Sequence, residues 1–97
     1  MAIFIVLGRF TQEGVTKIKE SPQRFEAAKK VTESLGGEIK EFYYTMGRYD
    51  FVSIIEAPSY EVMMTGLITI GSTGAIRTET LQAIPLEKGV DLIKNLP

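Results

Sequence analysis

The chain opens on a dense apolar run, Ala2–Leu7, continued by Gly8-Arg9-Phe10. Its Ile, Val and Phe content suits a pleated, buried surface, so about 2–10 reads as a strand. Three more strands follow on the same reasoning, at about 38–46, 50–57 and 75–84. Helical spacing separates them. Val15 and Ile18 mark a short amphipathic turn or helix over about 12–19, and Ser21-Pro22 restarts it with a favoured N-cap and a proline at the first helical position. Phe25, Ala28, Thr32 and Leu35 then recur on one side until Gly36-Gly37, which ends the helix because Gly accepts the left-handed conformation. A second helix over about 59–70 is capped by Pro58-Ser59 and buries Met63, Met64, Leu67 and Ile68 together with Tyr60. Gly47-Arg48-Tyr49 supplies a hairpin turn, Gly71–Gly74 a flexible return, and Pro85 stops the fourth strand before a short C-terminal helix over about 86–95.

That order is β-α-β-β-α-β with a C-terminal helix, the split βαβ arrangement of the ferredoxin-like α+β class. It predicts one domain over 1–97, with a four-stranded antiparallel sheet, right-handed crossovers and both helices on one face. The first and third strands are apolar on both faces, so they belong in the middle of the sheet. The more mixed second and fourth strands belong at the edges, which gives the order 4-1-3-2. The helices cover only one face, and an uncovered apolar face marks an interface or a ligand site. The odd-numbered residues are assigned to this open face: Ile3, Ile5, Leu7, Phe51 and Ile55, with Arg9, Tyr43, Ser53, Arg77 and Glu79 among them. The even set, Phe4, Val6, Phe42, Tyr44, Val52, Ile54 and Ile76, is assigned to the helix side. A bulge in an edge strand would shift this assignment. Self-association of two open faces is the economical solution, with the same patch used by both copies.

Composition narrows the chemistry. The chain has 97 residues with no Cys, His or Trp. Disulfides, thiolate metal sites, Cys nucleophiles and a Ser-His-Asp triad within the chain are excluded, and the commonest metal ligand and general base are missing. No cofactor or metal is called for. The net charge of −1 supplies no pull toward phosphate backbones, so nucleic acid is not an expected partner. The aromatic run Phe42-Tyr43-Tyr44 stands on a sheet of the type that stacks RNA bases, but Asp50–Ile54 lacks the basic residues of that recognition motif. The six apolar residues 2–7 are too few to span a bilayer or form a signal core. The expectation is a cytoplasmic protein with no membrane partner.

At Gly47-Arg48-Tyr49-Asp50 the chain resembles the GYD-domain family, named for a Gly-x-Tyr-Asp signature. The resemblance continues through Gly14, Ser21-Pro22-x-Arg24, Gly36-Gly37, Phe42-Tyr43-x-Thr45, Glu56-x-Pro58, Gly71-x-x-Gly74 and Arg77-Thr78-x-Thr80. It implies a ferredoxin-like fold of the dimeric α+β barrel kind and supplies no activity.

Five side chains are candidates for ligand binding: Tyr43, Tyr49, Asp50, Arg77 and Glu79. Tyr49 and Asp50 offer a phenol and a carboxylate beside the hairpin. Their alternative role is structural, with Asp50 accepting from turn N–H groups and Tyr49 packing over the turn. Arg77 faces the interior of the oligomer. There it clamps a small carboxylate or forms an ion pair, with Glu79 available to pair with Arg77 or Arg9. The charges around the first helical region alternate in sign, as on a solvated face, and Met63-Met64 is core filling. Three functions follow. The first is a homo-oligomeric small-molecule-binding or regulatory domain with a small polar or carboxylate ligand. The second is a cofactor-independent enzyme acting in a sheet-lined cavity, by fold analogy. The third is a structural or protein-interaction module. The first is favoured.

Overall fold

β1, Ala2–Phe10, is flanked by β3, Phe51–Ala57, and β4, Ile76–Ala83, both antiparallel to it, with β2, Glu38–Tyr44, beyond β3. The computed structural model describes residues 1–97. The resulting order β2-β3-β1-β4 is the predicted 4-1-3-2 read from the other edge, and the two doubly apolar strands occupy the middle. The helices are α1, Gln12–Thr16, α2, Ser21–Ser34, α3, Tyr60–Gly71, and α4, Leu86–Lys94. A short 3-10 turn, Ile18–Glu20, joins α1 to α2. No helix is long and apolar enough to cross a membrane.

Local chemistry accounts for the boundaries. Thr11 caps α1: its hydroxyl accepts from the Gly14 N–H and donates to the Gly74 carbonyl, which ties the helix start to the approach of β4. Ser59 caps α3 by accepting from the Val62 N–H, as an extended Ser at that position does. Ser21 departs from the predicted capping role. It is already helical, and its hydroxyl pairs with that of Tyr44 at 2.8 Å, fastening α2 to β2. Gly36, at φ +86°, ends α2 in the left-handed conformation, and the Gly37 N–H returns to the Thr32 carbonyl.

The core lies between the sheet and the helices. Phe4, Val6, Phe51, Ile55, Ala57 and Met63 are its buried apolar members. Phe42 stacks on Phe51 at 5.1 Å, and Phe25 of α2 meets Phe42 edge-on at 4.9 Å. A Cβ at Gly8 would lie 2.0 Å from the Phe51 ring, so only Gly lets that ring cross β1. Above these rings a cavity of about 200 Å³ separates the sheet from α2 and α3. Ala27 and Ala28 line it from α2, and their short side chains leave it unfilled.

Register corrects the assignment of sheet faces. Directly opposed residues share a face. Phe4 opposes Ile55, Val6 opposes Ser53 and Gly8 opposes Phe51, so parity inverts between β1 and β3. Phe51, Ser53 and Ile55 therefore point to the helices and are buried, while Val52 and Ile54 join Ile3, Ile5 and Leu7 on the open face. On β4 the parity of β1 is kept, and Leu81, opposite Ile5, completes the open apolar surface. β2 carries an irregularity between Ile39 and Glu41. It lets Ile39, Phe42 and Tyr44 oppose helix-facing partners while Tyr43 takes the open face, as predicted for the aromatic run. On α3, Met63 is buried and Leu67 half-buried, but Tyr60, Met64 and Ile68 are exposed, contrary to the expected core. α4 continues from the end of β4 with Leu86, Leu92 and Ile93 exposed, and the molecule measures 51 × 31 × 17 Å.

Candidate functional site

The loop 45–50 between β2 and β3 folds back toward β1. The Thr45 N–H donates to the Asp50 carbonyl and its hydroxyl to the Tyr49 carbonyl at 2.6 Å, with Gly47 at φ +100° making the reversal. Asp50 then joins the loop to β1. Its N–H donates to the Gly8 carbonyl at 2.8 Å, and its carboxylate accepts from the Phe10 N–H at 2.9 Å. Asp50 is thus engaged with the backbone of β1 rather than with turn N–H groups of its own loop.

This anchoring lays Tyr49 across the end of the open face. Its hydroxyl spans β1 and donates to the Glu79 carboxylate on β4 at 3.1 Å. The Arg9 guanidinium lies 5.1 Å and the Arg48 guanidinium 5.6 Å from the centre of its ring, within the range in which a cation is attracted to an aromatic face. Arg9 Nε also donates to the Arg48 carbonyl at 3.1 Å. Arg77 stands directly opposite Arg9 and donates through Nη1 to the Ile76 carbonyl at 3.0 Å. Glu79 does not pair with either arginine as expected. The four ion pairs of the chain involve Lys17, Arg24 and Lys40, and the Glu79 carboxylate is taken by the phenol instead.

Of the five sequence candidates, Tyr49 and Glu79 touch and Arg77 flanks Glu79 on the same strand face. Asp50 supports them from beneath. Tyr43 stands apart. It lies in the cross-strand row Tyr43–Val52–Leu7–Glu79, three strand spacings or roughly 14 Å from Glu79. Its phenol donates to the Glu41 carboxylate at 3.0 Å, and that bond, followed by the carboxylate's charge, raises its pKa. Nearby, Lys40 bridges Glu38 and Glu56 at 3.1 and 3.8 Å. The Glu38 hydrogen bond comes first among the causes that raise the Lys40 pKa. Arg48 and Arg9 belong to the site but were not among the candidates. Arg48 was visible as the variable position of the Gly-x-Tyr-Asp signature, and Arg9 as the charged end of an otherwise apolar strand.

The site is therefore an exposed surface on which the guanidinium groups of Arg9 and Arg48 lie against the half-buried Tyr49 ring. It borders the apolar rows of Leu7 and Val52. It presents guanidinium donors beside a carboxylate that accepts from a phenol, an arrangement suited to holding a polar group.

The same fold recurs in proteins of known name. A Thermus thermophilus protein named glutamine synthetase and cystathionine beta-lyase binding protein is 32% identical over 97 residues, covering 99% of both chains. A crystal structure of a Thermus thermophilus protein aligns with 88% of this chain and 95% of its own at 25% identity and a TM-score of 0.57. A feast or famine regulatory protein from M. tuberculosis, complexed with L-methionine, aligns at a TM-score of 0.67 and 16% identity, which shows the shared fold. That match takes in 88% of this chain and about half of the regulator, 51%. E. coli AsnC matches at 28% identity and a TM-score of 0.56, over 86% of this chain and 51% of AsnC. The GYD domain model matches residues 4–93, and the chain belongs to the GYD-domain family.

Proposed function

We propose that the chain is a cytoplasmic, homo-oligomeric regulatory domain that binds a small polar or carboxylate ligand on the open face of its sheet. The observation that carries this reading is the face itself. Ile3, Ile5, Leu7, Val52, Ile54 and Leu81 form a continuous apolar surface that no helix of the chain covers. Two such faces in contact bury each other by a two-fold arrangement, in which the same residues serve both copies. The polar cluster at the hairpin end then borders an interface and becomes partly desolvated, which strengthens its hydrogen bonds to a ligand. The similarity to AsnC and to the methionine-bound regulator supports a regulatory, ligand-responsive role.

A second reading rests on a separate observation. The full-length relative is named for binding two enzymes, and the ridge Tyr60–Met64–Ile68 on α3 is exposed. A protein-interaction role through α3 is compatible with assembly through the sheet, because the two surfaces lie on opposite sides.

Native mass spectrometry of gently purified protein tests both. A dimer, or a multiple of dimers, carrying a reproducible added mass supports ligand binding in the assembly. A clean assembly without added mass favours the interaction module, and a monomer overturns the reading of the open face.

A further inference from the structure

We propose that the cavity between the sheet and the helices is a binding site for one small hydrocarbon group, a single aromatic ring or a short alkyl chain. It lies on the opposite side of the sheet from the open face and does not depend on that face holding a ligand.

The space is larger than a packing defect of ordinary size. Protein interiors leave few voids bigger than a water molecule, and this cavity measures about 200 Å³. Two contacts of α2 keep it open. The Ser21 hydroxyl bonds that of Tyr44 at 2.8 Å and Phe25 meets Phe42 at 4.9 Å, so α2 is fastened over the edge strand β2. The helices come together farther along, where Leu35 approaches Gly66; a Cβ at Gly66 would lie 3.7 Å from the leucine Cδ1. Ala28 and Val31 on one helix and Leu67 and Ile70 on the other border the cavity, and Val6 and Phe51 floor it from the two central strands. Ala27 and Thr69 lie on its margin and are exposed, so solvent reaches the space between the helices.

The chemistry of the lining selects the guest. Arg24 is the one charged residue on the border, and its guanidinium donates to the Lys17 carbonyl at 3.4 Å and to the Glu20 carboxylate at 3.5 Å. Thr32, Ser53, Thr69 and Thr73 each donate a hydroxyl hydrogen to a backbone carbonyl. No buried side-chain polar atom is left without a partner. A trapped water needs about two to four polar partners, and these walls have none to spare. Apolar atoms, by contrast, restore the contacts that a void forgoes. Volume sets the size of the guest. An apolar cavity of about 150 Å³ is enough for benzene, whereas sites for drug-sized ligands begin at roughly 300 Å³. A single ring or a short chain falls between these limits. The rings of Phe42 and Phe51, stacked at 5.1 Å, offer an aromatic guest a surface to pack on.

Nuclear magnetic resonance of the full chain with labelled Ile, Leu and Val methyls tests the proposal. Toluene and n-hexanol are the probes. The expected result is saturable shifts and intermolecular NOEs at Val6, Val31, Ile55 and Ile70, with the tighter probe identifying the guest as ring or chain. Ala28→Leu places its side chain in the same volume and lowers the affinity about tenfold or more, the cost of overfilling a packed site. NOEs confined to Ile3, Ile5, Leu7 and Leu81 would assign apolar binding to the open face and overturn the proposal. So would the absence of saturable binding by either probe, or an unchanged affinity in folded Ala28→Leu. Where that variant does not fold, the contact map of the wild type decides alone.

Discussion

Arg9 and Arg77 face each other directly on neighbouring antiparallel strands, on the side of the sheet that carries no helix. Opposed like charges destabilise a ladder by roughly 0.2–1 kcal/mol. Arg77→Gln is therefore expected to raise stability by about 0.5 kcal/mol in low salt. The gain shrinks in high salt because both guanidinium groups are exposed and screened. Urea unfolding at two ionic strengths measures this directly, and lower stability of the variant in low salt would contradict it.

Asp50 behaves differently from the arginines. Its carboxylate is the partner of a half-buried backbone donor, the Phe10 N–H, and its own N–H extends the contact to Gly8. Asp50→Ala leaves the Phe10 N–H without that acceptor and is expected to cost about 2 kcal/mol. For a domain of this size that lowers Tm by roughly 10 °C. Asp50→Asn, which keeps an acceptor oxygen, recovers part of the loss. A thermal melt of the two variants separates this structural role from a catalytic one, in which Asn and Ala would be equally damaging to activity with Tm unchanged.

The strand order and element sequence were legible because they rest on which strands are apolar on both faces, and β1 and β3 carry that signal plainly. The faces were legible on β1 and β4, whose register preserves parity, and lost on β3. Phe51-Val52-Ser53-Ile54-Ile55 is apolar on both sides, so nothing in it tells odd from even. Ser53 looked like a surface residue, yet it is buried with its hydroxyl donating to the Glu41 carbonyl. Register decides such a strand, and register is set by pairing with β1. Tyr49 and Glu79 were both recognised as polar residues, but their contact depends on Asp50 drawing the loop onto β1. Arg48 escaped notice for the same reason, since a loop residue has no parity to place it. On α3, Tyr60, Met64 and Ile68 share one side at helical spacing, and only the position of the sheet reveals that this side faces away from it.

The cavity beneath α2 offers a test of packing. Ala28 lines a space of about 200 Å³ together with Phe42 and Phe51. The hydroxyls of Thr32 and Ser53 that border it are already bonded to backbone carbonyls, so the space calls for apolar atoms. Ala28→Leu adds them at only a small cost in helix propensity and is expected to raise stability by about 1 kcal/mol. Chemical denaturation checks the sign. A destabilised variant would mean that the helix cannot admit the larger side chain.

Tyr43 supplies a prediction about pH. The phenol donates to the Glu41 carboxylate while it is protonated. Ionisation would remove that bond and set two negative charges side by side, so the pKa is raised, with the hydrogen bond as the larger cause. Because the folded value lies above the unfolded one, the contribution to stability is complete below the unfolded pKa of about 10. It is lost as pH rises through the folded value. Tyrosinate absorbance, followed in the wild type and in Tyr43→Phe, isolates this group from the chain's other tyrosines. Glu41→Gln is expected to bring its titration back toward the ordinary value, and an unchanged curve would show that Glu41 does not hold the phenol. The direction also bears on function: a phenol held protonated by a neighbouring carboxylate is a hydrogen-bond donor at neutral pH and a poor general base. Tyr43 therefore stands at the edge of the sheet as a protonated phenol whose single hydrogen is committed to Glu41, well separated from the Tyr49–Glu79 contact.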